Sequence, residues 1–171
     1  IDLGILATPL GHDALKETPL YEEPFLAYFS QKTTPPNGEF VRAEDLEKER
    51  LWLLEEGHCL RSQIANLCNM KKKQPANANL NYEAGSMESL LRLVDMNGGV
   101  TVLPLLSTQD FDSERRKQIK LFLDPIPARQ ISIVTYRHHI KEQIINALEQ
   151  MIKDRVFPLL KDTGSVQIIE I

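Results

Sequence analysis

Apolar positions along the chain recur with two spacings, and the changes between them mark out the elements. DLGILA, residues 2–7, predicts a buried strand, and TPLYEEPFLAYFS, residues 18–30, predicts extended structure broken near Pro24. Pro35, Pro36, Asn37 and Gly38 form a turn signal. AEDLEKE, 43–49, predicts a short helix, and LWLLE, 51–55, a buried strand that ends at Gly57. A helix then starts near His58 and runs to about Asn69. Residues 71–81 are polar and Asn-rich and predict a loop, followed by the brief strand LNYEA. SMESLLRLVDMN predicts a helix capped by Ser86 and closed by Gly98 and Gly99. VTVLP, KLFLDP and RQISIVTYR predict three further strands. From about Lys141 to Leu160, Ile144, Ile145, Leu148, Met151, Ile152 and Val156 fall at helical spacing and predict one buried stripe. The tail VQIIEI predicts an edge strand. Strands alternating with helices indicate an α/β fold, and no internal repeat is visible.

Composition narrows this to a soluble globular chain: 171 residues, 42% hydrophobic and 26% charged, enough for one domain or two small lobes. A formal net charge of −4 gives no global attraction to phosphate, so the chain is not expected to grip DNA by itself. Lys71, Lys72 and Lys73 read as a solvated surface cluster. No apolar run approaches a membrane span, no signal peptide is expected from the opening IDLGILAT, and two cysteines do not make a secretory disulfide framework. A reducing cytoplasm is the expected compartment. The start at Ile1, without an initiating Met and inside a strand-like run, predicts a fragment of a longer polypeptide.

The candidate chemistry lies in GHCLRSQIANLC, Gly57 to Cys68, which holds both cysteines. On one helix the nine-residue step from Cys59 to Cys68 is about 13.5 Å along the axis and about 180° around it. A disulfide needs Cα atoms within about 7 Å, so helix and disulfide exclude one another. Cys59 in the first turn feels the positive end of the helix dipole, and His58 and Arg61 can support a thiolate, while Glu55 and Glu56 oppose it. Two buried, inert thiols are the plain alternative. Zinc held by Cys59, Cys68 and His58 is disfavoured, since the ligands are widely spaced and a fourth is lacking; no metal and no cofactor are expected.

GHCLRSQIANLC closely resembles the switch segment of the OxyR-type, peroxide-sensing branch of the LysR-type transcriptional regulators, whose pattern is Gly-His-Cys-Leu-Arg-Asp-Gln with a second Cys at this spacing. IDLGILA, PLYEEPFLAYF, LWLLEEGHC, SMESLLRLVDMNGGVTVLP and ISIVTYR resemble the other units of that family's effector domain in order. The resemblance implies a two-lobed, periplasmic-binding-protein-like α/β domain, N-terminally incomplete. Residues 1–22 and 138–171 would form part of the first lobe, and 23–137 the second lobe carrying the redox switch. The winged helix-turn-helix, the linker helix and the first part of the first lobe would lie outside this chain, together with threonines that help hold peroxide.

The resemblance further implies that hydrogen peroxide oxidises Cys59 to a sulfenic acid, which Cys68 converts to a disulfide, with Gly57, His58 and Arg61 framing the reacting thiol. The implied partners are a second copy of the chain in a dimer or tetramer, DNA through the missing domain, RNA polymerase and a cellular thiol reductant, with no membrane. Ser62 replaces the family's Asp and removes a carboxylate beside the sensing thiol. Two alternatives stand beside this non-enzymatic reading: a thiol peroxidase using Cys59 and Cys68, and an effector domain that binds a small metabolite. His12, His138 and His139 read as loop or surface residues and Trp52, Leu90, Leu93 and Val94 as core, while the resemblance implies that the helix 86–96 contributes to a dimer contact.

Overall fold

The computed structural model describes residues 2–68, 84–136, 142–160 and 164–171. Two long strands form its spine. β2 (Leu15–Phe29) and β6 (Ile126–Tyr136) run antiparallel from Leu15 opposite Tyr136 to Pro24 opposite Ala128, with a bulge between Pro19 and Tyr21. β1 (Gly4–Thr8) adds antiparallel to β6, and β7 (Val166–Ile168) adds parallel to it. β2 does not break at Pro24, as its sequence predicts. It continues unbroken and changes partners there, pairing from Phe25 onward with β4 (Val100–Pro104) and through Leu26–Tyr28 with β5 (Ile119–Phe122). Proline lacks a ladder donor, and it sits where one ladder ends and the next begins. The short β3 (Phe40–Val41) pairs parallel with β5.

The segment 51–55 is not a full strand: Leu51 bridges Val100 and Leu54 bridges Ala84, while Trp52 and Leu54 are buried. Gly99 explains its close approach, because a Cβ there would run into the Arg50 carbonyl and the Trp52 ring, and the Trp52 indole donates to the Gly98 carbonyl at 2.8 Å. α1 (Ala43–Leu46), α2 (Cys59–Leu67) and α3 (Met87–Asn97) pack around the C-terminal half of β2, and the short α4 (Ser113–Lys117) contributes no buried residue. The Ser86 hydroxyl caps α3 by accepting from the Ser89 amide at 3.2 Å, as the sequence predicts.

The apolar side chains gather in two cores. The larger holds Phe25, Phe29, Trp52, Leu60, Ile64, Leu90, Val94 and Leu103; the smaller holds Ala7, Leu20, Ile131 and Ile133. α5 (Glu142–Val156) rides on the smaller one and gives way to a 3-10 turn, Phe157–Leu159. Its predicted buried stripe is not buried. Ile145 and Ile152, seven positions apart, pack on the core, whereas Ile144 is 62% and Met151 67% exposed. Among the described residues, a core built on Ala7, Leu20, Ile131 and Ile133 covers only a narrow line of the helix. Lys71–Lys73, the Asn-rich loop, most of LNYEA, His138 and His139 fall outside the described residues.

Candidate functional site

Gly57 turns the chain into α2 with φ of 94°, a backbone state that favours glycine. His58 takes the N-cap position in extended geometry without a side-chain cap bond, and its ring is exposed. Cys59 is therefore the first helical residue, half-buried, and Cys68 is the C-cap residue, buried. Both thiols are free.

Successive positions on α2 divide between the two cores. Leu60, Ile64 and Cys68, spaced by four, enter the larger core. Cys59 packs instead against the smaller core, as does Ile171. The half-turn separation expected from a nine-residue step thus places the two thiols in different apolar environments. Burial pushes the Cys68 thiol up to about 12, with the Glu47 and Glu44 carboxylates adding to it. Cys68 is a neutral thiol at physiological pH.

Of the residues expected to frame Cys59, Arg61 is committed to the approach segment: its guanidinium donates to the Leu54 carbonyl at 2.8 Å and its amide to the His58 carbonyl at 2.9 Å. That clamps the turn at Gly57 from both sides. Ser62 is half-buried three positions after Cys59, on the same side of the helix.

Two residues given no role from the sequence complete this face. Gln63 is fully buried and donates through Nε2 to the Ile169 carbonyl at 3.0 Å, and Asn66 donates through Nδ2 to the Glu170 carbonyl at 3.0 Å. Among the described residues, Gln63 Oε1 has no hydrogen-bond partner. Their spacing of four and seven from Cys59 was a readable sign that they share its face; their partners, a hundred positions away in sequence, were not. A cavity of about 450 Å³ lies near the far end of α2, lined by Leu67, Phe122, Asp124 and Pro127, and does not include Cys59. Among the described residues no cluster of His, Cys, Asp and Glu could hold a metal ion.

The LysR substrate-binding domain model matches residues 1–156. The chain belongs to that family. It is 34% identical to OxyR of Escherichia coli, a DNA-binding transcriptional dual regulator, over 137 residues, covering 78% of this chain and 43% of OxyR. It is equally similar, with the same coverage, to the hydrogen peroxide-inducible genes activator of Pectobacterium carotovorum. The crystal structure of OxyR from Porphyromonas gingivalis superposes with a TM-score of 0.84 at 27% identity, covering 99% of this chain and 77% of that one. A reduced form of OxyR superposes with a TM-score of 0.74 at 28% identity, covering 91% and 71%. These relatives are transcription regulators, not enzymes, and the chain spans less than half the length of the two curated regulators. Among the described residues no helix is long and apolar enough to cross a membrane.

Proposed function

We propose that the chain is the hydrogen-peroxide-sensing regulatory domain of a DNA-binding transcription regulator, switched by a reversible Cys59–Cys68 disulfide. The observation that carries this is the placement of two free thiols at opposite ends and on opposite faces of one nine-residue helix, each in its own core. Cys59 opens the helix half-buried, while Cys68 closes it buried, its thiol pushed up to about 12 by that burial. The Cys59 thiolate attacks one peroxide oxygen, the O–O bond breaks, hydroxide leaves, and a sulfenic acid forms. Cys68 then displaces the sulfenic hydroxyl as water, so two thiols lose two electrons and peroxide becomes two waters.

Closing that bond requires α2 to unwind. Linking about ten residues removes roughly 2.7 kcal/mol of unfolded-state freedom, against which the helix's hydrogen bonds and the packing of Leu60 and Ile64 are lost. Each ~1.4 kcal/mol of strain in the oxidised form makes the disulfide about 30 mV more oxidising, which keeps it within reach of a cellular dithiol reductant.

Residues 1–22 and 138–171 belong to a first lobe and 23–137 to a second; the exchange of partners along β2 just after Pro24 supports the first of these boundaries. The shape change passes through a dimer or tetramer to a DNA-binding domain and to RNA polymerase, in the cytoplasm. The DNA-binding part of this reading is supported by the relatives, which are activators of hydrogen peroxide-inducible genes and a DNA-binding regulator. The deciding experiment counts free thiols before and after one equivalent of peroxide and maps any disulfide by mass. Loss of two thiols with a Cys59–Cys68 peptide is expected; two thiols left free would end the proposal.

A further inference from the structure

The C-terminal residues are fastened to the face of α2 that carries Cys59. Gln63 and Asn66 donate to consecutive tail carbonyls, those of Ile169 and Glu170, each at 3.0 Å. Ile169 is only 8% exposed and belongs to the larger core, while Ile171 and Cys59 each pack against the smaller one. The same tail is tied to the central sheet: the Ile169 amide donates to the Ala128 carbonyl at 2.8 Å, directly after the β7–β6 ladder that pairs Ile168 with Ala128. Residue 128 adjoins Arg129, whose guanidinium grips the buried Glu23 carboxylate on β2 at 2.7 Å. The tail thus lies between the switch helix and the strands that cross the molecule.

Both clamps depend on helical geometry. Gln63 and Asn66 reach adjacent tail carbonyls because three residues of helix set them side by side on one face. An extended or rewound 58–68 cannot present the two amides at that spacing. A buried carbonyl that loses its donor without regaining water is costly, so the tail must leave with the helix.

We propose that residues 166–171 are a latch that reads the state of α2: held while α2 is helical, and freed from it and loosened on β6 when α2 unwinds. This rests on the disulfide switch for its natural trigger, though not for its test. The readout is amide exchange at Ile169 in the full-length protein, with Ile133 in the sheet core as the internal control. In peroxide-treated protein whose Cys59–Cys68 bond has been verified by mass, exchange at Ile169 should be at least about tenfold faster than in reduced protein. Unchanged exchange in that bonded form would sink the latch and leave the switch standing.

Two reduced variants separate the ideas. Asn66→Ala removes one clamp from a half-buried position, and Ala65→Pro breaks α2 without touching either thiol. Both should speed exchange at Ile169 while Ile133 stays protected, Ala65→Pro more so. If peroxide forms no disulfide at all, the switch fails and these variants alone decide the latch. No change at Ile169 in either variant would overturn it.

Discussion

Cys59 and Cys68 carry the same functional group in opposite settings, and their reactivities should differ accordingly. Cys59→Ser is expected to abolish reaction with peroxide, whereas Cys68→Ser should leave a sulfenic acid at Cys59 that a cyclic 1,3-diketone probe traps. First labelling at Cys68 would reverse the roles. Cys68 also makes a linkage prediction. Its thiol is raised from 9.0 to about 12 by burial, then by Glu47 and Glu44. Below pH 9.0 it is protonated in both folded and unfolded chains and adds no pH dependence. Between 9.0 and about 12 the unfolded chain sheds a proton that the folded one retains, so stability falls as pH rises. Unfolding by urea across that window should show a shallower decline in Cys68→Ala than in the parent. At the same scale, Gly57 holds a φ of 94°, and Gly57→Ala should cost about 1 kcal/mol, seen as a lower urea midpoint with unchanged slope.

Among the elements, α2 and α5 show how differently a helical pattern is used. Every fourth residue of α2 from Leu60 enters a large core, yet its other face is held by polar bonds to the tail, so the helix is stable without being buried all round. α5 has the stronger apolar stripe and uses less of it. Ile152→Ala should therefore destabilise by about 1–2 kcal/mol, while Ile144→Ala, at a 62% exposed position, should stay within about 0.5 kcal/mol of the parent, both measured by urea unfolding. On oxidation, hydrogen exchange should rise across α2 and hold nearly constant in α5. Equal protection in α2 before and after would mean that the bond forms without remodelling.

For the molecule as a whole, the two cores are joined where β2 and β6 cross, and a buried ion pair marks that crossing. Glu23, 1% exposed, accepts from Arg129 Nε at 2.9 Å and Nη2 at 2.7 Å, and its other oxygen accepts from the Leu106 amide at 2.8 Å. It so fastens the 3-10 turn Leu105–Thr108 to both strands. Arg129→Met leaves that carboxylate buried without its partner, and about 3 kcal/mol of stability should be lost, measured by urea unfolding. The double variant with Glu23→Leu should recover most of it.

Local pattern was enough to place the short-range features. The Ser86 cap, the glycine stop after α3, the strand VTVLP and the start of α2 at His58 follow from backbone chemistry and side-chain spacing over a few residues. The opposition of the two thiols was also legible, because 100° per residue is a property of any α-helix. Contacts between distant segments were not. Pro24 read as a break, and only the change of strand partners shows why a residue without a donor is harmless there. The α5 stripe read as buried, and only the size of the core beneath it decides how much is covered. The roles of Gln63 and Asn66 were not legible, because a hydrogen bond to a carbonyl over a hundred residues away leaves no trace in local periodicity and exists only once the chain has folded.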